Sequence, residues 1–123
     1  MTDRFVGKTS QTIFALMPDS PFDVTIQVGR IMQAEPFPAA RKPHLCKLRI
    51  DLGARTVQSA AQLLARYTTD ELIGKHVCCA TNLGRVTIAG FRSEVLVVGV
   101  PDEEGHPVLV APDEAVPLGG TMY

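Results

Sequence analysis

The stretch VTIQVGRIMQAE, residues 24–35, sets apolar side chains at Val24, Ile26 and Val28, then breaks the alternation at Gly29 and resumes it out of phase at Ile31. Strict alternation is the mark of a strand with one buried and one solvated face. A glycine followed by a one-residue slip predicts a bulge or sharp bend inside one long strand. Small closed barrels need such bends, because a strand must turn a corner to pair on both sides. A barrel is therefore the first architecture to consider.

The rest of the chain agrees with it. EPFPAARKP, with prolines at 36, 38 and 43, reads as a loop. CKLRIDLGARTVQSA then reads as a hairpin turning near Gly53, with Leu48, Ile50 and Leu52 facing one way and Lys47, Arg49 and Asp51 the other. AAQLLARY could be helical by composition. Thr68 and Glu71 have capping-box spacing and predict a short helix over residues 70–73, stopped by Gly74. HVCCAT is a further strand and NLGRVTIAG a loop leading to a short extended piece. Residues 94–100, EVLVVGV, predict a strand apolar on both faces, and VLVAP a last strand after the turn PDEEGHP. Several short strands with one brief helix between the third and fourth predict a small closed all-β barrel of the OB-fold type. Residues 1–20 lack clear periodicity and read as an N-terminal extension to a domain over residues 21–123.

Length and composition fit one globular domain. The 123 residues are 46% hydrophobic and 20% charged, enough to bury a core without a metal or disulfide. No apolar run approaches the roughly 20 residues of a membrane span. The run over residues 13–17 is too short for a signal-peptide core, so a cytoplasmic location is expected. Three cysteines, two of them adjacent, make no disulfide framework, and in a reducing compartment they are expected to pack as small apolar residues. Net charge is −1, but residues 1–92 hold all 12 Lys and Arg against seven acids, whereas residues 93–123 hold six acids and no Lys or Arg. Folding either intermixes these segments or leaves a polarised surface.

The stretches DVTIQVGRI, FPAARKPHLCKLRIDLG, QSAAQ, YTTDELIGK, IAGFRSEVLVVGVPDEEG and VLVAPDEAVPLGG, in this order over residues 22–120, resemble the tRNA-binding OB-fold domain family and within it the CsaA-type branch. The resemblance implies a five-stranded OB-fold barrel, and a homodimer that binds tRNA by shape and backbone without catalysis. It also implies an export-related chaperone role, with unfolded precursor proteins and the export machinery as partners. The hairpin after Gly53 is two residues shorter than is usual in the branch. Ala60 stands where a second serine is common, and Val86 and Thr87 stand where basic residues are common. Glu94, Val95 and Leu96 after Ser93 favour the CsaA-type branch.

The basic set expected to meet RNA is Arg30 after the bend, Arg41 and Lys42 in the proline loop, Lys47 and Arg49 on one strand face, and Arg85 and Arg92 around the next loop. An OB barrel binds oligonucleotides on strands two and three, and residues at i and i+2 share a strand face. The resemblance adds Gln58, Ser59, Asn82 and Ser93 as polar neighbours. The plainer alternative is an ordinary solvated face. No tryptophan and few other aromatics argue against tight single-strand stacking and for recognition of folded RNA.

The two-sided apolar strand needs outside cover: a second subunit, favoured here, or the chain termini. Polypeptide binding would use Phe22, Phe37 and Phe91 if they are exposed. His44 and Cys46, and His76 and Cys78, could converge on zinc only if their strands paired, and no CxxC spacing supports this. No cofactor and no catalytic centre is expected, because phosphate-loop, GxSxG and HExxH patterns are all missing.

Overall fold

The computed structural model describes residues 21–123, so the extension expected over residues 1–20 lies outside the described residues. The elements are β1 (Ile26–Pro36), a 3₁₀ turn (Pro38–Ala40), β2 (Cys46–Asp51), β3 (Thr56–Ala61), α1 (Thr69–Leu72), β4 (His76–Ala80), β5 (Val86–Ile88), β6 (Phe91–Ser93), β7 (Leu96–Val97), β8 (Gly99–Pro101) and β9 (Pro107–Leu109). Five strands form one antiparallel sheet in the order β3-β2-β1-β4-β7. This is the nearly closed OB-type barrel expected from the sequence, with the short helix between β3 and β4.

Strand β1 organises it. Its first half pairs with β4 from Ile26 to Arg30, and its second half pairs with β2 from Arg30 to Pro36. The register shift falls between Ile31 and Gln33, so Met32 is the extra residue. Gly29 has a different job from the one its position suggested. A Cβ there would lie 2.5 Å from Ile50 Cγ2 and 2.9 Å from Leu52 Cδ2. Glycine lets β2 side chains lie against the β1 backbone, and the bulge follows three residues later. The free edge beside Val28 is filled by the C-terminal tail, where Val28 N–H donates to Gly120 O and Gly119 N–H donates to Val28 O.

The core holds Ile31, Leu48, Ile50, Leu52, Leu72, Val77 and Val95, with Cys46 and Cys79 among them. The three cysteines are free and buried. Burial pushes the Cys79 thiol up to about 12 and Cys46 up to about 11, so both pack as small neutral residues. The capping box forms as expected: Glu71 N–H donates to Thr68 Oγ1, and Thr68 N–H donates to Glu71 Oε1. The Thr68 N–H, with the Thr68 hydroxyl beside it, holds the Glu71 carboxyl below its usual range. The helix occupies residues 69–72 rather than 70–73. AAQLLARY forms no helix; it leaves β3 and closes a single turn in which Tyr67 N–H donates to Leu63 O.

The apolar run over residues 94–100 is not one strand. It breaks at Val98, whose N–H donates to Cys78 O on the β4 side while its O accepts from Val110 N–H. The chain switches partners there, so β7 belongs to the barrel and β8 pairs with β9. Val95 points inward, while Leu96 and Val100 are 55% and 57% exposed.

Closure runs between β3 and residues 93–95, at the junction of β6 and β7, and uses side-chain bonds beside one backbone bond. Ser59 Oγ donates to Val95 O at 2.8 Å, Gln58 N–H donates to Glu94 Oε1 at 3.0 Å, and Ala60 N–H donates to Ser93 Oγ at 3.0 Å. Glu94 N–H donates to Gln58 O. These bonds satisfy edge groups that no neighbouring strand reaches.

Candidate nucleic-acid interface

The Met32 bulge decides what the outer face presents. Strand β1 shows Arg30 outward, then the extra residue brings Gln33 and Glu35 into phase with Arg49 and Lys47 of β2. Strand β3 adds Gln58 beside Arg49. The result is an open groove of about 350 Å³ lined by Gln33, Glu35, Lys47, Arg49, Gln58 and Phe91, with Ile73 on the α1 side.

The two cations in the groove are not equivalent. Lys47 Nζ lies 3.1 Å from Glu35 Oε1, and 5.1 Å and 5.6 Å from the ring centres of Phe37 and Phe91. The two rings meet edge to face at 5.5 Å. Lys47 is thus a neutralised, held charge. Arg49 is exposed, and among the described residues no carboxylate pairs with it. Glu35, Gln33 and Ile73 were not singled out from the sequence. The bulge was the available signal, because it alone tells which residues of β1 share a face with Arg49.

The other expected basic residues divide. Arg30 is cross-strand to Asp51, one same-face step along β2 from Arg49, and to His76 on β4. Arg92 adjoins the groove, since Gln58 Nε2 donates to Arg92 O. Arg85 precedes the β5–β6 hairpin, whose tight turn puts Ala89 and Gly90 at φ 47° and 81°. Arg41 ends the 3₁₀ turn, its N–H donating to Pro38 O. Lys42 lines a separate groove of about 260 Å³ with Leu63, Leu96, Val97, Pro107 and Leu109.

The polar set is largely structural. Ser59, expected to meet RNA, is 1% exposed and closes the seam, which removes it from any solvent-borne ligand. Ser93 Oγ and Gln58 also serve the seam. Asn82 is exposed but ties the entry to β1: its Oδ1 accepts from Thr25 N–H and its Nδ2 donates to Asp23 O. Among the aromatic candidates, Phe37 is 6% exposed and packs under Lys47, so it offers no docking surface. Phe22 is exposed and Phe91 half-buried at the groove. The two His-x-Cys pairs do not meet, because β1 lies between β2 and β4. Among the described residues, no three His, Cys, Asp or Glu side chains converge, and no helix is long and apolar enough to cross a membrane.

What this face can do chemically is hold anions at its rim and a polar, partly flat group in its groove. Residues 26–121 match the family model described as "Putative tRNA binding domain". The chain is similar to the chaperone CsaA of Bacillus anthracis, with 35% identity and a TM-score of 0.73, covering 81% of this chain and 90% of that one. It is also similar to the CsaA chaperone protein of Picrophilus torridus, with 36% identity and a TM-score of 0.74 over 82% and 92% of the two chains. Among curated proteins, it is 33% identical over 99 residues to the methionine--tRNA ligase of Methanococcus aeolicus, covering 80% of this chain and 14% of the ligase. The likeness to the ligases is thus confined to a small part of each.

Proposed function

Because the chain belongs to the tRNA-binding domain family, we propose that it binds folded tRNA, without catalysing a reaction on it, through the outer face of β1, β2 and β3. The observation that carries this reading is the exposed guanidinium of Arg49 on that face, unpaired among the described residues. Arg30 and Arg92 supply further cations beside it, and Arg85, Arg41 and Lys42 stand exposed in loops. Lys and Arg neutralise phosphates and set register, while Gln amides bond sugars or backbone. With a single half-buried phenylalanine in the groove, most of the affinity rests on charge and shape.

The pairing of Lys47 with Glu35 ranks the two lysine and arginine variants. Arg49→Ala is expected to weaken tRNA retention on a filter at low salt by about 10-fold and to lower the salt slope by about one. Lys47→Ala, whose charge Glu35 already offsets, is expected to cost less than about threefold. Equal losses for the two, or no tRNA retained by the native protein, would contradict the reading.

A second reading concerns the opposite requirement, apolar cover. Leu96 and Val100 are exposed beside the groove lined by Leu63 and Leu109. This supports a homodimer formed over that surface. Sedimentation should give twice the 13.3 kDa of one chain, and Leu96→Glu with Val100→Glu should return it to one. A monomer in the native protein removes the dimer. If that native monomer also holds unfolded polypeptide on the patch, the chaperone alternative with precursor proteins and export machinery takes its place. Three buried thiols support a reducing, cytoplasmic setting.

A further inference from the structure

We infer that the groove between Ile73 and Phe91 receives one unpaired nucleobase of the bound RNA, while the phosphates stay on the arginines at its rim. The inference rests on the tRNA-binding reading and adds what the groove itself takes. Three features of the groove point to a base.

Its charge comes first. Glu35 lies in the groove and neutralises Lys47 at 3.1 Å. A phosphate seated there would face a carboxylate, so the groove suits a neutral polar group better than an anion. Shape comes next. Ile73, 50% exposed, and the half-buried ring of Phe91 provide apolar surface for a flat ring, and a base can stack on an aromatic without sequence preference. Hydrogen-bonding capacity completes the set. Gln33 carries a donor and an acceptor, with no partner for its amide among the described residues. Gln58 spends its Nε2 on Arg92 O and keeps its carbonyl oxygen. Arg49, which also lines the groove, stays with the phosphate that flanks the base. An apolar peptide side chain in the same place would strip water from Arg49 and Gln33 and return no hydrogen bonds. A nucleobase has both a greasy face and a donor–acceptor edge, and single-stranded loops present such bases splayed out.

The test compares two RNAs with the same stem, one closed by a single-stranded loop bearing 2-aminopurine and one fully paired with blunt ends. The native protein should bind the looped RNA more tightly by about fivefold or more and change the 2-aminopurine fluorescence. Phe91→Leu, which keeps an apolar group against Phe37, should bring the ratio of the two affinities towards one. Gln33→Ala, at an exposed position, should lower loop binding by roughly 3- to 10-fold, the worth of one hydrogen bond. A ratio near one in the native protein, or a ratio that survives both substitutions, overturns the base pocket while leaving tRNA binding intact. Displacement of the loop by an unfolded polypeptide, with blunt duplex still bound, assigns the groove to peptide and also overturns it. If neither RNA is retained, the tRNA reading itself falls and the pocket with it.

Discussion

Gly29→Ala is expected to destabilise the protein by about 1–3 kcal/mol, the usual cost of forcing extra volume into a packed core. The new methyl would lie 2.5 Å from Ile50 Cγ2, 2.9 Å from Leu52 Cδ2 and 3.3 Å from Asp51 O. Neither hydrocarbon has room to retreat, since Ile50 and Leu52 are both buried core residues. Ile50→Ala alone should cost about 2–5 kcal/mol through its cavity. The informative variant combines them. Removing Ile50 Cγ2 opens the space that the Gly29 methyl needs, so the double variant should be more stable than the two separate losses predict. Contacting residues commonly couple by about 0.5–3 kcal/mol. Urea midpoints for the four proteins measure this directly. Strict additivity would mean that Gly29 is present for some reason other than the approach of β2.

That glycine also shows what the sequence could and could not say. Its position in VTIQVGRI announced a bend, and a bent β1 that pairs on both sides is what the fold contains. The extra residue itself, Met32, carries no mark, because a bulge is a property of the pairing between two strands. The faces of β2 were legible from alternation alone, as was the capping box at Thr68 and Glu71, since both are local patterns. The apolar run over residues 94–100 was legible as strand but not as two strands. The break at Val98 depends on Cys78 and Val110, neither of which is near in sequence. The seam was likewise hidden: Ser59 meets Val95 across 36 residues. Family likeness flagged Gln58, Ser59 and Ser93, and in the fold these residues join β3 to the segment that closes the barrel. The difference between Lys47 and Arg49 needed the cross-strand register that sets Glu35 opposite Lys47.

RNA binding by this barrel is proposed to rest on phosphate neutralisation by a small number of arginines. Arg30, Arg49, Arg85 and Arg92 are exposed, and Lys47 is discounted because Glu35 pairs with it. If each of those arginines displaces about one counterion, the logarithm of affinity should fall with the logarithm of salt at a slope of roughly −3 to −4. The most direct measurement is a titration of tRNA by filter binding or anisotropy across that series. Between about 50 and about 200 mM monovalent salt the affinity should drop about 100-fold. A slope near zero, or no binding at the low-salt end, would contradict the claim.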